Sequence, residues 1–390
     1  MGDSVPASDS RSRPGPGSAW QAGRKVRAIV GETYVGHVKV RCLGFYPHGQ
    51  RSGFLLQSAG TSSLYKCRNA LSMPMERFCL RLVVAILAAS AMVAHASDAV
   101  RIVVPFAQGD ASDLMARIIA QPLSKKLDRP VNIHNHYGAG GIIGTQDVVR
   151  SRTDGLTLVL GSVSNMSMNT ACRGERLGYL PSSALRPVVM LARAPVVMAV
   201  RPDSGIQQFS DLLTRFNAYP GLQTYSSSGL CSYSDFMGRY IAFRSQVDVV
   251  PMPYRGGYDA TQAVISGEVD MVITELPNAM REIQAGQLKL LAASASAGPG
   301  NPPSFEDIGY AQLDAHVWYG MFVPAETPSR EARVMQQAIQ EILKDSAIVS
   351  ELQALGAEPY NLVGPEIYRE VVNFTRAVEG YVTEAGITLE

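Results

Sequence analysis

The stretch AVRIVVPFAQGDASDLMARIIAQPLSKKLDRPVNIHNHYGAGGIIGTQDVVRS, residues 99–151, decides how the chain is read. It opens on a β-branched run, 99–106, that ends at Pro105 and is soon followed by Gly109, which reads as a buried strand closing on a loop. Leu114, Met115, Ile118, Ile119, Leu123 and Leu127 then recur at helical spacing. Ser112 suits the N-cap, Asp113 favours the positive helix start, and Pro122 should kink the helix. The pattern repeats at once, with PVNIH as a second strand, a glycine loop, and GIIGTQDVVRS as a second helix. LTLVLGS, 156–162, adds a third strand. This βαβαβ alternation implies a parallel sheet with right-handed crossovers.

Beyond it, RPVVMLARAPVVMAVRP, 186–202, reads as two more strands carrying the chain toward a second domain. There, helices over 209–217, 232–244, 258–266 and 277–285 alternate with the strands LQTYSS, VDVVPMPY, VDMVITE and LKLLAASA. AHVWYGMFVPA, 315–325, returns the chain to the first domain, and two amphipathic helices end it. The expected fold is α/β in two domains, 97–198 with 322–390 and 199–321, each a mainly parallel sheet flanked by helices. Two hinge crossings join the domains, and a ligand site is expected in the cleft at the carboxyl ends of the strands.

The first 96 residues read differently. Residues 1–72 are rich in Gly, Ser, Pro and Arg, which suggests a non-native or disordered extension. Residues 73–96 have the layout of a secretory signal peptide: Arg77 and Arg81, an apolar stretch from Leu82 to Val93, then Ala-His-Ala. Translation is therefore expected to start at Met73 or Met75, and the mature protein to reside in the periplasm. Residues 1–96 carry 12 Lys and Arg against 4 Asp and Glu, whereas 97–390 carry 23 against 30. A net-acidic exported protein is a poor nucleic-acid binder. Cys172 and Cys231 remain after cleavage, either as one disulfide or as two separate thiols.

Catalytic motifs are missing. A dinucleotide fingerprint starting at Gly138 needs a third glycine at 143, which is Ile. No Gly-Lys pair, Gly-x-Ser-x-Gly, Cys-x-x-Cys or His-Glu-x-x-His occurs. His134 and His136 share a strand end, where packing is a better reading than metal ligation. No enzyme activity, cofactor or metal is expected.

Two loops carry the chemistry that is present. PFAQGDASD, 105–113, and NHYGAGGIIG, 135–144, follow the first two strands and lead into helices, so free N–H groups and helix dipoles converge on one region. That suits a carboxylate, although glycines that only satisfy turns would look the same. These stretches, followed in order by TYSSSG, VPMPYRGGYDATQAVISGEVDMVITELPNA, GQLKLLAASA and LGAEP, resemble the Bug-type periplasmic solute-binding receptors of the tripartite tricarboxylate transporter family.

The resemblance implies a Venus-flytrap receptor whose two glycine loops grip a carboxylate through Gly109, Ser112, Asp113, Gly138, Gly140 and Gly141, with Asp110 beside the same pocket and Ser162 nearby. Ser226, Ser227, Ser228, Tyr254 and Glu275 would face the cleft from the second domain, and Arg255 either pairs a distal carboxylate or is a solvated loop residue. A small dicarboxylate, tricarboxylate or amino acid would be delivered by a monomeric receptor to membrane permease subunits, or sensed for a signalling partner.

The chain departs from the family pattern at Asp110, where a second glycine is usual, at Tyr137, where proline is usual, and at Glu275, where Asp is frequent. A charge on Asp110 at ~4 Å from a bound carboxylate would cost about 4 kcal/mol at an effective dielectric of about 20. Its side chain is therefore expected to face solvent, to meet a ligand ammonium group, or to mark a changed binding mode.

Overall fold

The computed structural model describes residues 99–313 and 315–386, together with the four strands Arg27–Val35, Val38–Phe45, Gly53–Ser58 and Thr61–Leu64. Those four strands belong to a separate unit, Met1–Ala91, and pair antiparallel in chain order. They fall where the sequence suggests no packed structure, yet Val38, Val40 and Cys42 alternate with Lys39 and Arg41, a period-2 signal that the Gly- and Pro-rich surroundings mask. The expected signal peptide, 73–96, lies outside the described residues.

In the second unit, β1 (Val100–Val104), β2 (Val131–Asn135) and β3 (Thr157–Ser162) are parallel, in the spatial order β2-β1-β3. The connecting helices are α1 (Ala111–Leu127) and α2 (Ile142–Val149). Pro122 sits inside α1 without ending it.

The expected pair of strands over 186–202 is a single 16-residue strand, β4 (Leu185–Val200). No Gly, Asn or Asp interrupts it, so nothing turns the chain. Pro187 and Pro195 lie within β4 without ending it, and the amide after Pro195, Val196 N–H, donates to Ser294 Oγ at 3.2 Å. Thirteen of the sixteen residues are buried, Leu185, Val188 to Ala192 and Ala194 to Val200, the near-continuous apolar run of a strand covered on both faces.

Strand β4 organises both lobes. Its first part pairs antiparallel with β9 (His316–Pro324), which also pairs with β3. Its last part, Val196–Val200, pairs antiparallel with β7 (Met271–Glu275) on one side and with β8 (Lys289–Ala293) on the other. Parallel β5 (Thr224–Ser227) and β6 (Val250–Pro253) extend the second lobe beyond β7. A short β10 (Glu358–Pro359) closes the other edge of β4 in the first lobe. The sheet is thus mixed where β4 and β9 run and parallel in each outer half.

Side chains alternate along the shared strand: Val196, Met198 and Val200 join the larger core, while Val197 and Ala199 join a second one beneath α5 (Gly257–Ser266). The second lobe also carries α3 (Phe209–Ala218) and α4 (Tyr233–Ser245). The C-terminal helices are α6 (Ser329–Ile342), α7 (Ser346–Ala354) and α8 (Pro365–Ala385). The last one reaches the second lobe, where Phe374 meets Tyr233 edge-on at 5.1 Å and Tyr381 stacks beside Phe236 at 6.5 Å.

Helix α4 packs on β5 through Gly238, because a Cβ there would fall inside the Tyr225 ring. Gly238→Ala is therefore expected to lower stability by about 1–3 kcal/mol in chemical denaturation, the usual cost of overpacking a filled core; an unchanged midpoint would show that Tyr225 swings aside freely.

Candidate functional site

Asp110 is the N-cap of α1, with the extended backbone that position requires (φ −65°, ψ 156°). Its Oδ1 accepts from Ser112 N–H at 2.9 Å. Its Oδ2 accepts from Gly257 N–H at 2.9 Å, at the start of α5 in the other lobe. One carboxylate thus meets two helix N-termini, where partial positive charge and unpaired amides make an anion welcome. A second bond crosses the lobes beside it: Ala111 N–H donates to Asn278 Oδ1 at 2.6 Å.

The amides expected to hold a ligand at loop one are therefore met by Asp110 and Asn278. Asp110 is 4% exposed, so it faces the opposite lobe rather than solvent. The reason is geometric: an N-cap side chain turns back onto the helix start, and α5 brings a second helix start to the same point.

Glu275 lies in the same buried cluster. Its Oε2 accepts from Ser228 Oγ at 3.0 Å and from Asn278 Nδ2 at 3.0 Å. Burial, reinforced by the charge of Glu275, pushes the Asp110 carboxyl up to about 7 despite the helix-start hydrogen bonds. Burial also raises Glu275. Two carboxylates in one dry region resist double ionisation, so near neutrality the pair tends to keep a proton. Burial, followed by the charges of Glu275 and Asp110, lifts the Tyr319 phenol far above its usual range, and its hydroxyl finds no hydrogen-bond partner.

The other sequence candidates divide. Asp113 is a scaffold group: it accepts from Gly109 N–H at 2.9 Å, Arg117 Nε at 2.8 Å and Asn135 Nδ2 at 2.9 Å. Burial works against its charge, but these donors hold its carboxyl below the usual value. Ser112 is buried at the first turn of α1, and the Tyr258 ring faces Gly109. Ser162 Oγ donates to Asn165 Oδ1 at 3.0 Å, and Ser226 Oγ donates to the Ala260 carbonyl at 2.8 Å, so both hydroxyls serve packing. Ser227 Oγ is buried without a partner. His134 is exposed, and His136 Nδ1 lies 3.2 Å from Asp147 Oδ2, which Arg101 also pairs at 2.9 Å.

Loop two, by contrast, opens onto a cleft of about 720 Å³. Tyr137, Gly138, Ala139, Gly140 and Gly141 line it from the first lobe, and Ser228, Gly229, Leu230, Tyr254 and Arg255 from the second, with Asp259, Gln262 and Glu268 on its floor. Gly140 and Gly141 have φ of 64° and 90°, and a Cβ on Gly140 would stand 2.9 Å from the Leu230 carbonyl oxygen. Glycine is needed there both for the left-handed turn and for the close approach of the opposite lobe.

Tyr254 Oη donates to Glu268 Oε1 at 2.8 Å. Arg255 is the one Lys, Arg or His among the described residues that line the cleft; its guanidinium lies 5.9 Å from the Tyr137 ring centroid and 3.5 Å from Asp259. The sequence left Arg255 between a solvated loop and a ligand partner, and nothing in it pointed to Asn278 as the residue that joins Glu275 to the start of α1.

Residues 115–376 match the tripartite tricarboxylate transporter family receptor. The chain belongs to this family. Among receptor relatives, protein BugT of Bordetella pertussis is 27% identical over 294 residues, covering 75% of this chain and 90% of BugT. A solved periplasmic transporter structure is 32% identical with a TM-score of 0.72, covering 75% of this chain and 99% of that one. MatC from Rhodopseudomonas palustris, solved with bound malate, is 26% identical with a TM-score of 0.65, covering 75% and 99%. The receptor reading drawn from the ordered motifs is thus established at family level, and the two-lobed fold with it.

The raised Asp110 carboxyl sets a pH dependence for this receptor. In the unfolded chain the group ionises near 3.8, whereas in the folded protein it does so near 7. Stability is therefore expected to fall as pH rises from about 4 to about 7, by on the order of a few kcal/mol, and to level off above that. Asp110→Asn should flatten this decline in melting temperatures taken across the range; a wild-type profile that stays flat would contradict the burial of an ionisable pair.

Proposed function

We propose that this chain captures a small carboxylate in the cleft between loop two and the second lobe and delivers it to the membrane permease of a tripartite transporter. The reading rests on family membership and, within this chain, on one observation: the cleft sets the glycine loop 138–141 opposite Arg255. The turn backbone offers N–H donors without blocking side chains, and the guanidinium offers a planar pair of donors for a second carboxylate. MatC holds malate, and a dicarboxylate of that size has one group for each end of this cleft.

In this reading Asp110 occupies the helix start that would otherwise take a ligand carboxylate. The ligand is thereby held by one glycine loop and the second lobe, rather than by two loops. The lobes, 97–198 with 322–390 and 199–321, rotate about β4 and the segment entering β9, and closure presents the surface that the permease reads. An amino acid fits the same site less simply, its ammonium group meeting Asp259 or Glu268.

A thermal-shift screen of the purified protein against mono-, di- and tricarboxylates and amino acids tests the proposal. A ligand at ~100 times its Kd should add about 2.7 kcal/mol of stability; a screen with no stabilising acid would remove the carboxylate reading.

Two substitutions separate the parts of the site. Arg255→Gln should weaken binding of the best dicarboxylate by about 10- to 100-fold, the worth of one charge-assisted contact of about 1.5–3 kcal/mol. Asp110→Gly frees the amides of Ser112 and Gly257 and should strengthen it. Calorimetry that shows Arg255→Gln binding like the wild type would move the ligand away from this end of the cleft, and an unchanged Asp110→Gly affinity would deny Asp110 any part in ligand choice.

A further inference from the structure

Cys172 and Cys231 lie far apart in sequence and on opposite lobes, yet their thiols are near enough to interact with each other. Cys172 is on the short helical turn Asn169–Arg173 that follows β3, and Cys231 is in the loop between β5 and α4. Their neighbours meet at the mouth of the cleft. Asn169 Nδ2 donates to the Gly140 carbonyl at 2.8 Å, and the Leu230 carbonyl stands over Gly140 from the other lobe. Tyr233 N–H crosses the same seam to Ser164 Oγ at 3.3 Å. The two sulfurs therefore straddle the line along which the lobes part.

Cys231 is held in an unusual way. Its φ is 60°, a left-handed conformation that non-glycine residues seldom adopt, and its N–H donates to Asp235 Oδ2 at 3.2 Å. Its thiol pKa is lowered, first by the contact with Cys172 and further by the charge of Arg173, whose Nε is buried without a hydrogen-bond partner. Cys231 is buried while Cys172 is half-buried, so a reagent reaches Cys172 first.

We propose that Cys172 and Cys231 form a reversible disulfide that ties the two lobes together across the cleft. The oxidant is a dithiol–disulfide exchanger of the kind present in the oxidising periplasm, where receptors of this family work. The contact with Cys231 and burial hold the Cys172 thiol above its usual range, so Cys172 passes its proton to the Cys231 thiolate before it attacks one sulfur of the oxidant disulfide; the thiolate released takes that proton and leaves as a thiol. Cys231, as thiolate, then attacks the Cys172 sulfur and expels the second thiol. Two S–H bonds in the protein become one S–S bond, and the oxidant disulfide is reduced to two thiols. Oxidation holds the lobes together and slows exchange of whatever the cleft contains; reduction restores opening. The proposal does not depend on which ligand binds.

The test uses the full chain with all five cysteines. The protein is incubated with oxidised glutathione, alkylated, digested without reductant and mapped by mass spectrometry. A peptide joining Cys172 to Cys231 that disappears on reduction is expected, with a melting temperature on the order of 5 °C above that of the reduced protein. The double substitution Cys172→Ser, Cys231→Ser should melt at the same temperature with and without oxidant. Recovery of both thiols alkylated, or of either sulfur joined instead to Cys42, Cys67 or Cys79, overturns the proposal.

Discussion

A single carboxylate that serves two helices is the constraint around which this receptor is arranged. Asp110 accepts from Ser112 at the start of α1 and from Gly257 at the start of α5, so the two lobes share one buried anion. Gly256 and Gly257 follow from it, because a Cβ at 256 would press on the Asp110 carboxylate and one at 257 on Asn278 and Thr274. Asn278 follows as well, since it fills Ala111 N–H and turns its other end to Glu275. A buried polar network of this kind stabilises when every member is satisfied and is costly when one is not. The Tyr319 hydroxyl, near both carboxylates and without a partner among the described residues, marks where this network is least complete.

The continuity of β4 makes that shared anion possible. Both lobes hydrogen-bond to one strand, so the starts of α1 and α5 are set against each other by the register of a single chain segment. Strand β4 passes between the lobes at Pro195, which has no N–H to give the ladder, and α8 packs against the aromatic face of α4. The closed arrangement is held by backbone geometry as much as by side chains at the cleft.

Much of this was legible in the sequence. The alternation of β-branched runs with helical apolar spacing places β1, α1, β2, α2 and β3 correctly, because local periodicity and local structure agree there. The ordered glycine, serine and tyrosine motifs carry the family. The sequence misleads where a decision lies outside local pattern. Residues 186–202 read as two strands, and only pairing along both sides reveals one, Leu185–Val200. The glycines of both loops look equivalent, yet Gly138–Gly141 face a cleft while Gly109 lies against Tyr258. Whether Asp110 meets a ligand, water or the other lobe depends on Gly257, 147 residues away, and no spacing rule reaches that far. The contact between Cys172 and Cys231 is invisible for the same reason.

The central claim is that the lobes close on the protein's own carboxylate, out of water. Carbon-13 NMR of the Asp110 side-chain carboxyl, followed through a pH titration of the ligand-free protein, measures this directly. A midpoint near 7 is the result that burial beside Glu275 requires. A midpoint near the ordinary aspartate value of about 4 would mean that Asp110 meets solvent, that α5 does not dock on α1, and that loop one remains open to a ligand.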